Sequence, residues 1–351
     1  MADGGNVMRT LSRSMPTAPM QRLIARRLAS SVDDLVADAS ERGPMTDADG
    51  KSGALIEQVV IGGEPFVLKH VDCRSDWIMR QTGDIGGWPI TVWESGLLDQ
   101  LPSCIDHTYV GAAREDRHGA VLMRDVSAWL VPPGDDPLPL DRHLQFLEHL
   151  ATCHAAYWGW ADTIGLMPLG TRYCWFSDTA LRCEAALGSP QEVPGIAREG
   201  WRRLPERAPR LTESLFPLRD VPWPLVDALA REPHTFLHGD WKVANLGSAP
   251  DGRTILIDWA LPGAGPPLIE LAHYLALNRA RLPVGHSRED VIEAYRVALE
   301  RHGVATDPWW ERQLALCLLG MMVMLGWEKA YGDDDELAWW EARALEGAAL
   351  L

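Results

Sequence analysis

Apolar positions follow two rhythms along this chain. Residues 54–71 (ALIEQVVIGGEPFVLKHV) alternate about a Gly-Gly pair, which predicts two strands and a tight turn, a hairpin ending near Lys69. Ahead of it, residues 20–39 carry apolar side chains at helical spacing and predict a helix, and 42–53 (RGPMTDADGKSG) reads as a polar loop. A Trp- and Gly-rich stretch (DWIMRQTGDIGGW) follows, then a helix starting after Pro89 that carries Glu94, then strand material ending in AVLMRDV at 120–126. The breaker segment VPPGDDPLPL at 131–140 marks a boundary. From RHLQFLEHLATCHAAYW onward the spacing is helical, interrupted by strand-like Thr235–Leu237 and Thr254–Ile257. The expected class is α+β. A loose N-terminus (1–19) precedes a small mixed lobe (20–126) and a large, mostly helical lobe (127–351).

The most apolar run, Leu314–Trp327, is shorter than the roughly 20 residues a bilayer needs, so it reads as a buried core helix. No apolar h-region opens the chain, so no secretory signal is expected. With 351 residues, 46% hydrophobic and 23% charged, the composition is globular and long enough for two lobes. The formal charge is -16. Such a field repels nucleic acid and anionic membrane and weakly favours a cationic small-molecule partner. The six cysteines include no Cys-x-x-Cys pair and no zinc set, which suits reduced thiols in a cytoplasm. Oligomeric state is not legible.

Chemistry concentrates in FLHGDWKVANLG (236–247) and TILIDWA (254–260). A carboxylate just after a short strand, Asp240, is rigidly aimed and can accept a proton from a hydroxyl. Asn245, five residues on, can offer an amide oxygen to Mg²⁺, and Asp258, at the end of the returning strand, can bridge metal and phosphate oxygens.

HGD-x-x-x-x-N followed by a hydrophobic strand and I-D-W resembles the aminoglycoside phosphotransferase and choline kinase-like group. The resemblance implies a protein-kinase-like two-lobed fold, with an antiparallel sheet in the N-lobe and a helical C-lobe. It also implies ATP and Mg²⁺ as cofactors and a small hydroxylated substrate. Asp240 would be the catalytic base, Asn245 and Asp258 the metal ligands and His238 a prop for the loop. Lys242 would neutralise charge on the γ-phosphoryl group. FVLKHV is similar to the strand whose lysine holds the α/β-phosphates, which gives Lys69, and ITVWESGLLDQLP to the helix whose glutamate pairs with it, which gives Glu94. AVLMRDV occupies the hinge position, with Met123, Arg124, Asp125 and Val126 as backbone contacts to adenine. LATCHAAYWGW and GAGPPLIELAHYL extend the likeness, so that it spans residues 50–280. No G-x-G-x-x-G precedes Lys69, which points to a looser phosphate loop at Asp49–Gly53. Glu270 stands where the group usually has Asp.

Two other readings stay open at this stage. His238, Asp240 and His273 could form an iron-binding triad, although that leaves Asn245 and Asp258 unexplained. A nucleotide-binding pseudokinase is the other. His154 and His273 otherwise read as packing histidines. The 16 tryptophans read as core, or as an aromatic wall for a substrate. The acids at 333–336 read as a solvated helix start, or as a substrate rim.

Overall fold

The computed structural model describes residues 27–45, 50–278 and 281–351. The expected flexible segment 1–19 and Asp49 of the proposed phosphate loop lie outside the described residues. The N-terminal layer contains β1 (Arg27–Ala29), α1 (Val32–Leu35), β2 (Ala39–Pro44), β3 (Ile56–Ile61), β4 (Glu64–Asp72), α2 (Trp77–Thr82) and α3 (Trp88–Glu94). It closes with β5 (Ile105–Asp106), β6 (Tyr109–Glu115) and β7 (His118–Arg124). Six of these strands form one sheet in the order β1-β6-β7-β4-β3-β2, antiparallel except where β1 runs parallel to β6. The expected helix over 20–39 is not found in its described part. There, β1 pairs with the sheet edge, and Ser31 caps a fresh one-turn helix by accepting from Asp34 N.

The β3–β4 hairpin turns on Gly62 (φ 60°) and Gly63 (φ 84°), the left-handed pair that a tight two-residue turn requires. Alternation then sorts the faces of β4. Phe66 and Leu68 pack with Val59, Ile61 and α1 on the outer side. Val67 and Val71 join the large core on the other. Lys69 shares their parity and so faces the interior between the lobes.

The helical lobe comprises α4 (Leu140–Ala156), α5 (Asp178–Ala186), α6 (Glu192–Arg207), α7 (Pro209–Asp220) and α8 (Trp223–Leu229). Four short strands follow: β8 (Thr235–Leu237), β9 (Leu246–Ser248), β10 (Thr254–Leu256) and β11 (Gly263–Gly265). The chain ends in α9 (Leu268–Asn278), α10 (Arg288–Arg301), α11 (Trp310–Lys329) and α12 (Asp334–Ala348). β8 pairs antiparallel with β11, while β10 lies between β9 and the N-terminal β5. Sequence alternation is too short to reveal β5, β9 and β11, each three residues or fewer. Apolar run 314–327 is the middle of α11, buried nearly all round among α6, α7, α8, α9 and α12. Among the described residues no helix is long and apolar enough to cross a membrane.

The acids at 333–336 cap and open α12. Asp333 caps the helix by accepting from Glu336 N at 2.8 Å, and Asp334 pairs with Arg207. Glu336 is buried against Lys329 at 3.1 Å.

Candidate active site

Two strand pairings bring the predicted chemistry together. β8 delivers the chain to His238, and β11, its partner, receives the chain after Asp258. Between them, β9 and β10 pair, and Ile257 N donates to Asn245 O at 3.1 Å, so the loop with Asn245 and the turn with Asp258 are laced side by side. Gly239 permits the first loop. Its φ is +89°, and a Cβ there would lie 1.8 Å from Leu261 O. Only glycine satisfies both conditions.

Asp240 is buried, and its carboxylate is fixed. Lys242 Nζ and Asn245 Nδ2 each donate to Oδ2 at 2.7 Å, and Asn245 Nδ2 also reaches Asp240 O at 2.9 Å. His273 Nε2 stands 3.6 Å from Oδ1. Burial pushes the Asp240 carboxyl up, but the Lys242 ammonium and the remaining donors more than offset it and hold the group below its usual range. Lys242 is reciprocally raised: burial alone would lower it, and Asp240 outweighs burial.

His238 props the loop as expected. Its Nδ1 accepts from Asp240 N at 3.2 Å, and Nε2 faces Ile257 O at 3.0 Å. Burial lowers its pKa, so the ring is neutral with its proton on Nε2. With both nitrogens committed to backbone, His238 has no lone pair for iron, and the triad reading loses its first ligand.

Lys69 Nζ lies 2.5 Å from Asp258 Oδ1 across a separation of 189 residues. Burial would lower the ammonium, but Asp258 outweighs it and raises the pKa, with Asp76 and Asp240 adding to the effect. Asp258 sits at φ 64°, a left-handed conformation that few residues besides glycine, asparagine and aspartate adopt readily, and keeps about a third of its side chain exposed. That strained turn aims the carboxylate into the space between the lobes.

The expected Lys69–Glu94 pair does not form. Glu94 ends α3 on the surface and binds Arg114 at 2.9 Å, because Arg114 on the neighbouring β6 already gathers Thr91 and Glu94 on that face. The acid that adds to the field at Lys69 from the helical side is Asp76. It is buried as the cap of α2, accepting from Ile78 N at 2.8 Å and Met79 N at 3.1 Å, and burial raises its pKa. The sequence signal was an Asp two residues after Arg74 at a helix start.

Met123 and Arg124 end β7, and Asp125 and Val126 follow. Arg124 N donates to Thr108 O at 3.0 Å and Asp125 N to Pro65 O at 3.3 Å, while the Asp125 side chain caps Ser127. The Arg124 guanidinium pairs with buried Asp106.

Two further residues hold the loop. Glu270 on α9 accepts from Gly239 N at 2.7 Å through Oε1, and through Oε2 from His238 N at 3.2 Å and His154 Nε2 at 2.9 Å. His154 in turn meets Tyr295 OH at 2.5 Å. Arg172, buried with no carboxylate in hydrogen-bond contact among the described residues, donates to Gly239 O at 3.1 Å and Leu261 O at 3.0 Å, tying the loop of Asp240 to the turn of Asp258. Burial lowers its pKa. No sequence pattern singled out Arg172.

Among the described residues no group of three or more His, Cys, Asp or Glu could hold a metal ion. The hard oxygen donors available are the amide oxygen of Asn245, turned away from Asp240 by the two bonds its nitrogen makes, and the Asp258 carboxylate. That set fits Mg²⁺, which commonly takes one or two protein ligands and completes its shell with phosphate and water.

Residues 165–307 match the phosphotransferase enzyme family, a stretch that contains Asp240, Asn245 and Asp258. The resemblance to the aminoglycoside phosphotransferase and choline kinase-like group is borne out. Among solved structures, choline kinase LicA from Streptococcus pneumoniae aligns with 91% of this chain and 96% of its own, at 14% identity and a TM-score of 0.51. Macrolide 2'-phosphotransferase MphH from Brachybacterium faecium aligns over 89% and 97% at 14% identity, TM-score 0.42. An aminoglycoside phosphotransferase from Alicyclobacillus acidocaldarius aligns over 97% and 95% at 16% identity, TM-score 0.40. The likeness to LicA shows the two-lobed, protein-kinase-like fold expected from the sequence. No curated protein matches the chain significantly.

Proposed function

We propose that this chain is a small-molecule kinase that moves the γ-phosphate of ATP onto a hydroxyl of a small metabolite or antibiotic. One observation carries the reading: a buried, ionised carboxylate at Asp240, fixed through one oxygen, beside an Asp258–Lys69 pair in the same interlobe space. Asp240 accepts the hydroxyl proton as the acceptor oxygen bonds to phosphorus. Lys69 holds the α/β-phosphates, and Lys242 offsets charge near the γ-phosphoryl. The segment Met123, Arg124, Asp125 and Val126 lines the adenine edge, with the N–H groups of Arg124 and Asp125 already given to Thr108 O and Pro65 O, so contacts there fall to its remaining backbone groups. Asn245 and Asp258 would hold Mg²⁺, which when bound neutralises phosphate charge. The protein's own contribution is positioning and fixed charge. Lobes meeting at 126/127, a cytoplasmic setting and an acceptor of positive charge complete the reading. The six free cysteines and the charge of -16 support the last two.

The test is a phosphorylation screen of aminoglycosides, macrolides, amino alcohols and sugars with ATP and Mg²⁺. Asp240→Ala is expected to lower kcat about 10²–10⁴-fold while nucleotide still binds. Asp258→Ala is expected to abolish productive binding of Mg²⁺·ATP in calorimetry. Wild-type turnover in either variant removes that residue from the site.

A further inference from the structure

The catalytic carboxylate is gripped unevenly. Lys242 and Asn245 both donate to Oδ2, each at 2.7 Å. Facing Oδ1 is His273 Nε2, at 3.6 Å. The imidazole is about 95% enclosed, and its Nδ1 has no hydrogen-bond partner among the described residues. Burying a polar ring with one nitrogen idle costs free energy that an apolar side chain would avoid. Its neighbours on α9, Leu271, Ala272, Tyr274 and Leu275, are apolar or aromatic core residues. Packing alone therefore does not account for a histidine here.

α9 supplies the reason for its place. Glu270 and His273 are three residues apart on one helix face. Glu270 fixes the backbone N–H groups of His238 and Gly239. His273, one turn on, meets the side chain of the next residue in that loop. A single rigid helix thus sets both the path of the loop and the plane of its carboxylate.

We infer that His273 is a positioning residue of the transfer reaction, acting through Asp240: its Nε2–H orients the free carboxylate oxygen toward the incoming hydroxyl. The inference rests on the assignment of Asp240 as base. In the step concerned, the acceptor O–H proton passes to Asp240 and the acceptor oxygen bonds to the γ-phosphorus. The bond from that phosphorus to the β–γ bridging oxygen breaks, and the nucleoside diphosphate leaves with the electron pair. At 3.6 Å the contact is longer than a hydrogen bond, and such contacts tighten when a reacting group arrives. Burial, with the nearby Lys242 ammonium adding to it, outweighs the pull of Asp240 and keeps the imidazole neutral, so it offers one N–H rather than a competing charge.

The experiment uses the full chain and Mg²⁺·ATP hydrolysis, with water as the probe acceptor. His273→Gln places an amide N–H near the position of Nε2, His273→Asn reaches only as far as Nδ1, and His273→Phe keeps the volume without a donor. The expected result is near-wild-type kcat for Gln and a loss of about tenfold or more for Asn and Phe, with KM for ATP unchanged in all three. Full activity in the Phe variant, or equal loss in Gln and Asn, overturns the inference. Should Phe not fold, the Gln-against-Asn comparison decides alone. Asp240→Asn is run alongside. If it hydrolyses ATP normally the base assignment fails, whereas loss in Asp240→Asn with none in the His273 series sinks only the role of His273.

Discussion

At Gly239 a single hydrogen atom decides whether the catalytic loop can close. The positive φ and the Leu261 carbonyl 1.8 Å from a hypothetical Cβ leave no room for alanine, and the obstacle is backbone rather than a flexible side chain. Gly239→Ala must either break the Arg172 and Glu270 contacts to residue 239 or push β11 away from β8. We expect a loss of about 3 kcal/mol or more in urea unfolding, with phosphoryl transfer abolished. A variant as stable as wild type would mean that the loop has another path. The same residue scale explains why Glu94 misled. The family resemblance implied a pair with Lys69, but Arg114 on the adjoining strand takes the carboxylate at 2.9 Å, and neighbours decide the partner of a glutamate.

At the scale of the element, α9 acts as a ruler for the catalytic loop. Glu270 serves two backbone N–H groups and His154 with its two oxygens, all of them buried. Burial alone would raise its carboxyl, and His154 and the backbone donors outweigh it and hold it ionised. Truncation would strand those donors without water. Glu270→Ala is expected to cost about 3–5 kcal/mol in denaturant unfolding. Glu270→Asp, the residue usual in the resembling group, falls one methylene short of the loop and is expected to cost about 1 kcal/mol. Equal stability of all three proteins would show that the loop is held by Arg172 and the strands instead.

Over the whole molecule, the Trp- and Gly-rich stretch between Lys69 and Glu94 ties the small lobe to the helical one. Arg80 on α2 reaches Glu184 on α5 through two parallel bonds of 2.9 and 2.8 Å, and Gln81 adds a third at 2.9 Å. Beside them Trp77 stacks on Trp175 with ring centres 5.8 Å apart, and Gly53 abuts Gln191. Arg80 is first among the causes that hold the Glu184 carboxyl below its ordinary value of 4.5. A depressed carboxyl contributes stability above the unfolded value, and that contribution fades as pH falls through the folded one. Wild type is therefore expected to lose stability below about pH 4.5 from this pair. Arg80→Ala, which leaves an enclosed carboxylate with Gln81 but without its cation, is expected to be about 2–4 kcal/mol less stable at pH 7 and to show a shallower acid slope. Melting curves from pH 7 to pH 3 distinguish these outcomes, and parallel curves for both proteins would discount the pair.

How much of this was legible in the sequence depends on range. The β3–β4 hairpin, α4, the core helix α11 and the compact group Asp240, Lys242, Asn245 and Asp258 follow from local pattern, because a turn, a periodic face or a spacing of a few residues is complete within its own segment. The structure alone decided the rest. Lys69 meets Asp258 over 189 residues, Arg172 bridges Gly239 and Leu261, and Arg80 clasps Glu184. The one-residue contest between Arg114 and Lys69 for Glu94 was settled there too. Those outcomes turn on which side chains the packed strands and helices bring within a few ångströms, and a linear pattern holds no distance between segments that meet only on folding.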